Sequence, residues 1–360
     1  MFSLISAFSG AGALDYAFRS TRHFSTSGYI ELESEFCSTL RLNQSNGLLC
    51  KGEVIEDDVA ACCAQPLLGR LRRMKPSGLI GGPPCQSFSS IGKQHGRHDP
   101  RGMLVFRFAD LASSLPVEFF VMENVPGLAT IERGAVLRDL IQAFEAGRFQ
   151  VRHEVLCAAD YGAPTTRRRL FIVGFRRPVA FRFPSATHHD PATHHRQGAR
   201  EWATAGEALK GLPKPSPPGD HRQGDHVAIQ HAAKVVERFN KLPPGTWDTV
   251  RKRARLAQDR PSPSLIAGNR CGTRSHIHPL EPRELTNRES ARIQGFPDTY
   301  QFCGSRAEIG IQVANAVPIQ LGRAVARQIA QAMRNRKPDA MAITSPRVEF
   351  RNNINSLEAR

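Results

Sequence analysis

The chain has 360 residues, 40% of them hydrophobic, enough for one large domain or two unequal ones with a real core. Its 49 Lys and Arg against 33 Asp and Glu leave a formal charge of +16, which points to a polyanionic partner, most simply nucleic acid. No apolar run reaches the roughly 18–20 residues that cross a bilayer, the N-terminus leaves no room for a signal peptide, and the eight cysteines show no C-x-x-C pair, so membrane, secreted disulfide and zinc-ribbon classes are set aside in favour of a reduced cytoplasm.

The first 175 or so residues alternate short apolar runs with helical patterns, the signature of a parallel sheet with crossover helices. Strands are expected at Ser3–Phe8, Ser27–Glu31, Leu48–Lys51, Gly78–Ile80, Phe119–Glu123, Gln150–Leu156 and Leu170–Phe175. Helices are expected at Ala13–Thr21, Ser34–Asn43, Gly102–Ser114 and Gly134–Glu145. From about Arg176 to Asp259, Pro, His, Gly and Arg dominate, which reads as a smaller, loop-rich domain. Helices return at Asn287–Gln294 and Pro318–Arg334. The second carries Ile319, Leu321, Val325, Ile329 and Met333 on one face, as a helix returning to a core would. Residues after about Arg336 are polar and aperiodic, an expected frayed tail.

Two turns carry the chemistry. Phe8-Ser9-Gly10-Ala11-Gly12 closes the first strand and opens the first helix, and Asp15 stands where a dinucleotide fold wants its third glycine, which argues against a pyrophosphate. Glu31, about twenty residues on, ends the next strand where an acid can accept hydrogen bonds from both ribose hydroxyls. Close-approach glycines plus a ribose acid suit a nucleoside cofactor such as S-adenosylmethionine. The second turn is Gly81-Gly82-Pro83-Pro84-Cys85-Gln86, in which the prolines stop a buried strand and hold one thiol on a rigid turn, a placement suited to nucleophilic attack.

With these turns in place, the sequence resembles the DNA cytosine-C5 methyltransferases, in order through nearly the whole chain. Phe8 to Gly12 resembles the family's methionine-binding loop, Glu31 its ribose acid, and Glu53-Val54 its adenine contacts. Pro83-Pro84-Cys85-Gln86 resembles the nucleophile loop, Asp99-Pro100-Arg101-Gly102-Met103-Leu104 the segment after the mobile loop, and Glu123-Asn124-Val125 the acid motif. Arg167 and Arg169 match the paired arginines; Arg288 to Pro297 and Asn315-Ala316-Val317-Pro318 match the closing motifs. Departures are Ala13 for a glycine, Glu53 for an Asp, Ala314 for the glycine before Asn315, and Thr165 for a Gln.

The resemblance implies a Rossmann-like α/β methyltransferase fold with helices on both faces of a mostly parallel sheet. It implies a catalytic domain at residues 1–178 completed by 308–336, a target-recognition domain at 179–285, a closing segment at 286–307 and a tail at 337–360. S-adenosylmethionine would be held by Phe8, Ser9, Gly10, Ala11, Gly12, Leu14, Glu31, Leu32, Glu53, Val54, Pro83, Leu104, Asn315 and Ala316. Cys85, Glu123, Arg167 and Arg169 would be catalytic. Adding the Cys85 thiolate to C6 turns cytosine into an enamine whose C5 can attack a methyl group. Glu123 would donate a proton toward N3, with burial raising its pKa, while Asn124 braces the Pro83-Pro84 turn. Arg167 and Arg169 alternate on one face; one guanidinium, Arg169 by preference, would hold cytosine O2 and the other orient Glu123 or a phosphate. Removal of the C5 proton is left to water.

The target must leave the helix, so double-stranded DNA is the expected partner. Gln86, Ser89, Ile91, Lys93 and Arg101 would touch it, with Gln86 or Ile91 filling the vacated space. Base reading falls by elimination to residues 180–280, with Arg251, Arg253, Arg270 and Arg274 as candidates. A monomer is expected, with a cognate restriction endonuclease acting on the same site but not stably bound. No metal is expected, because His188-His189-Asp190 and His194-His195 lie in a Pro-rich loop without a cysteine. Two other readings are a tRNA methyltransferase of the same superfamily and a non-enzymatic DNA-binding regulator. The sizeable basic variable segment favours duplex DNA, and intact Cys85, Glu123 and Arg169 argue against a dead enzyme.

Overall fold

Strand β1 (Phe2–Ala7) seeds the sheet, its last four residues fully buried between two layers of helices. The computed structural model describes residues 1–84, 104–193, 198–219, 224–250, 253–266 and 276–335. Helix α1 (Ala13–Arg19) leads to β2 (Phe24–Glu31), and α2 (Ser34–Ser45) leads to β3 (Glu53–Glu56). Then come α3 (Leu67–Arg73), β4 (Gly78–Gly81), α4 (Leu104–Ser114), β5 (Phe119–Asn124), α5 (Ala135–Ala146), β6 (Gln150–Cys157) and β7 (Arg168–Phe175). The sheet order is β3-β2-β1-β4-β5-β7-β6, parallel except where β7 runs antiparallel to both β5 and β6. Strand order reverses between β1 and β4, whose last residues, Ala7 and Gly81, are paired. That switch point, at the carboxyl ends of the strands, is where an open α/β sheet leaves a crevice for ligand.

Alternation along the strands feeds two cores. Phe120 and Met122 of β5 with Leu170 and Ile172 of β7 face Phe108, Leu111, Leu140 and Phe144 of α4 and α5. Phe119, Val121, Phe171 and Val173 face the other way, toward Leu14 and Phe18 of α1. On that side they also meet Leu321, Val325 and Ile329 of the last helix, Ile319–Arg334, so the C-terminal helix completes the layer that α1 begins. Phe120 stacks on Phe144 with ring centroids 3.9 Å apart, and burying each such ring contributes roughly 1.5–3 kcal/mol.

The strand expected at Leu48–Lys51 forms five residues later, as β3. The reason is local. Leu48 and Leu49 donate back to the Asn43 carbonyl to close α2, and Leu49 is buried in a separate cluster. Gly52 then passes so close to the Thr26 carbonyl that a Cβ would lie 2.5 Å from it.

Among the described residues of 176–285 the elements are short: β8 (His188–His189), β9 (Arg200–Glu201), α6 (Ala205–Leu209), α7 (Ala233–Lys241), β10 (Trp247–Asp248) and β11 (Arg253–Ala254). The chain closes through α8 (Asn287–Ile293), α9 (Arg306–Asn315) and α10 (Ile319–Arg334). No described helix is long and apolar enough to cross a membrane.

Candidate active site

The loop after β1 is built around unusual backbone. Phe8, Gly10 and Gly12 all have positive φ, at 52°, 55° and 74°, and a non-glycine residue there is strained. The turn is held by Gly12 N donating to Ser9 O (2.9 Å) and by the Ser9 hydroxyl donating to Ser6 O (3.1 Å). A Cβ on Gly12 would meet Leu40 and Leu49 within 2.9 Å, whereas one on Gly10 would meet nothing within 4 Å, so the space over Gly10 is open.

Glu31 sits beside this loop at the end of β2. Its Oε2 accepts from Gly10 N (2.7 Å) and its Oε1 from Leu32 N (2.9 Å) and Glu33 N (3.1 Å). Burial pushes its pKa up while those three N–H donors pull it down. Three bonds leave acceptor capacity on the carboxylate. The neighbouring Leu32 is 61% exposed, an apolar surface next to the acid. Leu14 and Ala11 are buried behind the loop. Tyr300 donates its hydroxyl to Ala11 O (2.5 Å), and Ala316 packs into the same cluster as Tyr300 and Ala13, so the closing segment braces the loop from behind. Asn315 is exposed at the end of α9, and Leu104 is half-buried at the start of α4.

Asp15 does not face a ligand. It is 1% exposed, accepts from Ser6 Oγ and Thr26 Oγ1 (both 2.9 Å), and burial raises its pKa to about 6.

Glu53 and Val54 are not brought to this pocket. Glu53 opens β3 opposite Gly28, three residues back from the level of Glu31, roughly 10 Å along the strand. Its carboxylate is ion-paired with Arg70 of α3 (Nε to Oε2, 3.0 Å), and Val54 packs into the cluster around Leu49. The residues that follow β3 past the level of Glu31 are Asp57 and Asp58. Asp57 N donates to Glu31 O (3.1 Å), Asp58 caps a short turn through Ala60 N (2.9 Å), and Val59 is buried. The Gly52-Glu53-Val54 triplet resembles the expected pattern at the wrong end of the strand; the acidic run Glu56-Asp57-Asp58 that ends the apolar Val54-Ile55 pair is the sequence feature that marks the strand end instead.

On the far side of the switch point, β5 ends in Glu123 and Asn124, both buried. Asn124 donates from Nδ2 to Pro83 O (3.0 Å) and accepts from Val125 N (2.9 Å), bracing the turn after β4 as expected. A Cβ on Gly82 would lie 2.9 Å from Glu123 Oε2, so a side chain there would displace the carboxyl group. Pro83 is buried in this turn. Cys85, Gln86, Ser89, Ile91, Lys93 and Arg101 lie outside the described residues.

The two arginines part ways. Glu123 is paired with Phe171 in the antiparallel β5–β7 register, so Arg169 is its diagonal neighbour on the same face. Arg169 Nε lies 2.7 Å from Glu123 Oε1. Arg167 precedes the strand, is 3% exposed, and donates from a terminal nitrogen to Leu265 O (2.9 Å). The residue that orients Glu123 is therefore Arg169 and not its companion, which corrects the preferred division of labour. Burial raises the pKa of Glu123, against the charges of Arg169 and then Arg167. Burial also lowers that of Arg167 to about 9, which leaves it charged at neutral pH. Thr165 is fully buried and bridges to Ser262.

Arg253 does not suit base reading: its side chain is 11% exposed and ion-paired with Glu284. Arg251, Arg270 and Arg274, and the His194-His195 pair, lie outside the described residues. Among the described residues no three His, Cys, Asp or Glu side chains converge as metal ligands.

A Gly-rich loop beside the buried Glu31, across the switch point from the Glu123–Arg169 pair, is an arrangement suited to an enzyme that binds a nucleoside cofactor. Residues 2–331 match the family of C-5 cytosine-specific DNA methylases, and the chain belongs to that family. It is therefore a DNA (cytosine-5) methyltransferase, for which S-adenosylmethionine is the methyl donor the family implies. It is 32% identical over 342 residues to the type II methyltransferase M1.HphI of Haemophilus parahaemolyticus, covering 90% of this chain and 86% of that one. It is 29% identical to M.FnuDI of Fusobacterium nucleatum, covering 93% and 96%. Among solved structures, an E. coli prophage-encoded protein described as a DNA modification methyltransferase superposes with a TM-score of 0.74 at 24% identity, covering 93% of this chain and all of that one. The Dnmt2 methyltransferase of S. pombe superposes with a TM-score of 0.61 at 13% identity, covering 93% and 99%. These two likenesses show the fold.

Proposed function

We propose that the chain methylates C5 of a cytosine flipped out of a short duplex sequence, as the modification enzyme of a type II restriction–modification system. The type II methyltransferases among its relatives support the last point. The observation that carries the chemistry is the buried Glu123–Arg169 pair seated against the Gly82–Pro84 turn, one residue before Cys85.

The open space over Gly10, the Glu31 carboxylate and the exposed Leu32 fit the methionine, ribose and adenine parts of S-adenosylmethionine, with Asp58 and Val59 in place of Glu53 and Val54 at the adenine. When bound, that molecule supplies an electrophilic methyl carbon. The chain supplies the rest. The Cys85 thiolate forms a bond to cytosine C6, and the C5=C6 electrons move so that C5 becomes nucleophilic and charge gathers toward N3. Glu123, whose burial favours the acid form against the charges of Arg169 and Arg167, donates its proton toward N3. Arg169 holds that carboxyl group through Nε and directs its guanidinium edge to cytosine O2. After methylation the N3 proton returns to Glu123, water removes the C5 proton, the C5=C6 double bond re-forms, and the C6–sulfur bond breaks to return the thiolate. Residues 179–285 read the target, and the basic surplus of the chain holds the phosphates.

The test uses duplex DNA in which 5-fluorocytosine replaces cytosine, with S-adenosylmethionine. Fluorine at C5 cannot leave as a cation, so the covalent adduct persists: a complex resistant to denaturation is expected with the wild-type chain and none with Cys85→Ser. Multiple turnover without any such complex would contradict the covalent route.

A further inference from the structure

The segment that carries the catalytic arginine is tied to the 179–285 region by four backbone-directed bonds, the longest from Thr165 Oγ1 to Pro263 O at 3.5 Å; the other three are shorter. Thr166 N donates to Ser262 O, Ser262 N to Pro164 O, and Arg167 to Leu265 O, each 2.9 Å. Leu265 is in turn buried with Ala254 of β11, Leu256 and Leu285. Two residues beyond Arg167, Arg169 meets Glu123. Target reading and proton donation are thus linked through one short stretch of extended chain.

Arg167 is an expensive way to make that link. A guanidinium buried to 3% exposure carries a large desolvation cost unless its surroundings offset it, and its nearest charged neighbours are a second arginine and the single carboxylate they share. An apolar side chain of similar length would fill the same space. What a guanidinium adds is a directed bond to a particular carbonyl in the recognition region and a fixed charge beside the Glu123–Arg169 pair.

We infer that Arg167 is a positioning residue: by holding the Leu265 carbonyl next to the Thr165–Ser262 bridge, it makes the placement of Arg169 and Glu123 depend on how the 179–285 region, to which that carbonyl belongs, seats on DNA. The inference rests on the proposed reaction. Correct seating aligns the acid, and incorrect seating leaves it misaligned, so sequence discrimination enters at the chemical step as well as at binding.

The experiment measures kcat and KM for the full chain and for Arg167→Met and Arg167→Lys. The substrates are a duplex bearing the motif found methylated in plasmid DNA and the same duplex with one base pair of the motif exchanged. Arg167→Met should lose about tenfold to a hundredfold in kcat on the motif and clearly less on the altered duplex, with the KM for S-adenosylmethionine unmoved. Arg167→Lys, which keeps a charge and a donor, should recover part of the loss. Arg167→Met as active as Arg167→Lys or better would show mere space-filling and overturn the inference. So would equal losses on both duplexes, which mark direct contact with the reacting base, or loss of cofactor binding in step with activity. A wild-type chain that methylates neither duplex would overturn the proposed reaction, and the inference with it.

Discussion

Glu123 is caught between two opposing effects, and its function follows from which prevails. Burial disfavours the carboxylate while the adjacent guanidinium of Arg169 favours it, and the pKa is raised on balance. A raised pKa means the acid form persists to higher pH and is lost as pH climbs through it, so kcat should fall on that alkaline limb. Glu123→Gln, which cannot deliver a proton, should lower kcat by about 10²–10⁴-fold, abolish that limb in the residual rate, and leave S-adenosylmethionine affinity unchanged by calorimetry. Glu31 tests the opposite half of the crevice. Its carboxylate holds Gly10, Leu32 and Glu33 through backbone N–H groups, so Glu31→Ala should weaken cofactor binding by about tenfold to a hundredfold. An unchanged dissociation constant would remove it from the pocket. Both residues were legible in the sequence because each ends an apolar strand. Glu53 misled because a Gly-acid-apolar triplet reads alike at either end of a strand, and only the β2–β3 register shows which end it occupies.

Most elements were legible from periodicity because buried strands and amphipathic helices must repeat their apolar positions. The exceptions each have a local physical cause. Strand β3 was misplaced because Leu48 and Leu49 are apolar for the sake of the α2 terminus, not a strand. Helix α9 was passed over although Ser305 and Glu308 form a reciprocal capping box at its start, a signal that composition alone obscures. The division of labour between Arg167 and Arg169 was hidden because spacing places both on one face but does not say where the strand begins. At this scale the β1–α1 unit makes its own prediction. Asp15 of α1 binds Ser6 of β1 and Thr26 of β2 from within the core. Its pKa is raised from 3.8 to about 6, so its contribution to stability is full below about pH 4 and is lost as pH rises through 6. The loss is on the order of 3 kcal/mol. Urea unfolding should show wild type losing stability between pH 4 and 7 more steeply than Asp15→Asn. Parallel pH profiles would place the Asp15 proton elsewhere.

Across the whole molecule, one sheet brings the loop after β1, the turn after β4 and Glu123 to adjacent strand ends, since β1, β4 and β5 are neighbours. The switch point makes their meeting a consequence of topology, not of any long-range side-chain contact. In the proposed reading the charge of +16 holds a polyanion whose sequence is read by residues 179–285, whose described elements are short. That region is the least legible from sequence, because short irregular elements carry no periodicity and their register comes from contacts such as Arg167 with Leu265. The most direct test of the account is bisulfite sequencing of plasmid DNA from cells expressing the chain, beside a Cys85→Ser control. Protected cytosines within one recurring short motif, absent from the control, are the predicted result; soluble wild-type protein that leaves every cytosine convertible, or a control that protects them equally, would contradict it.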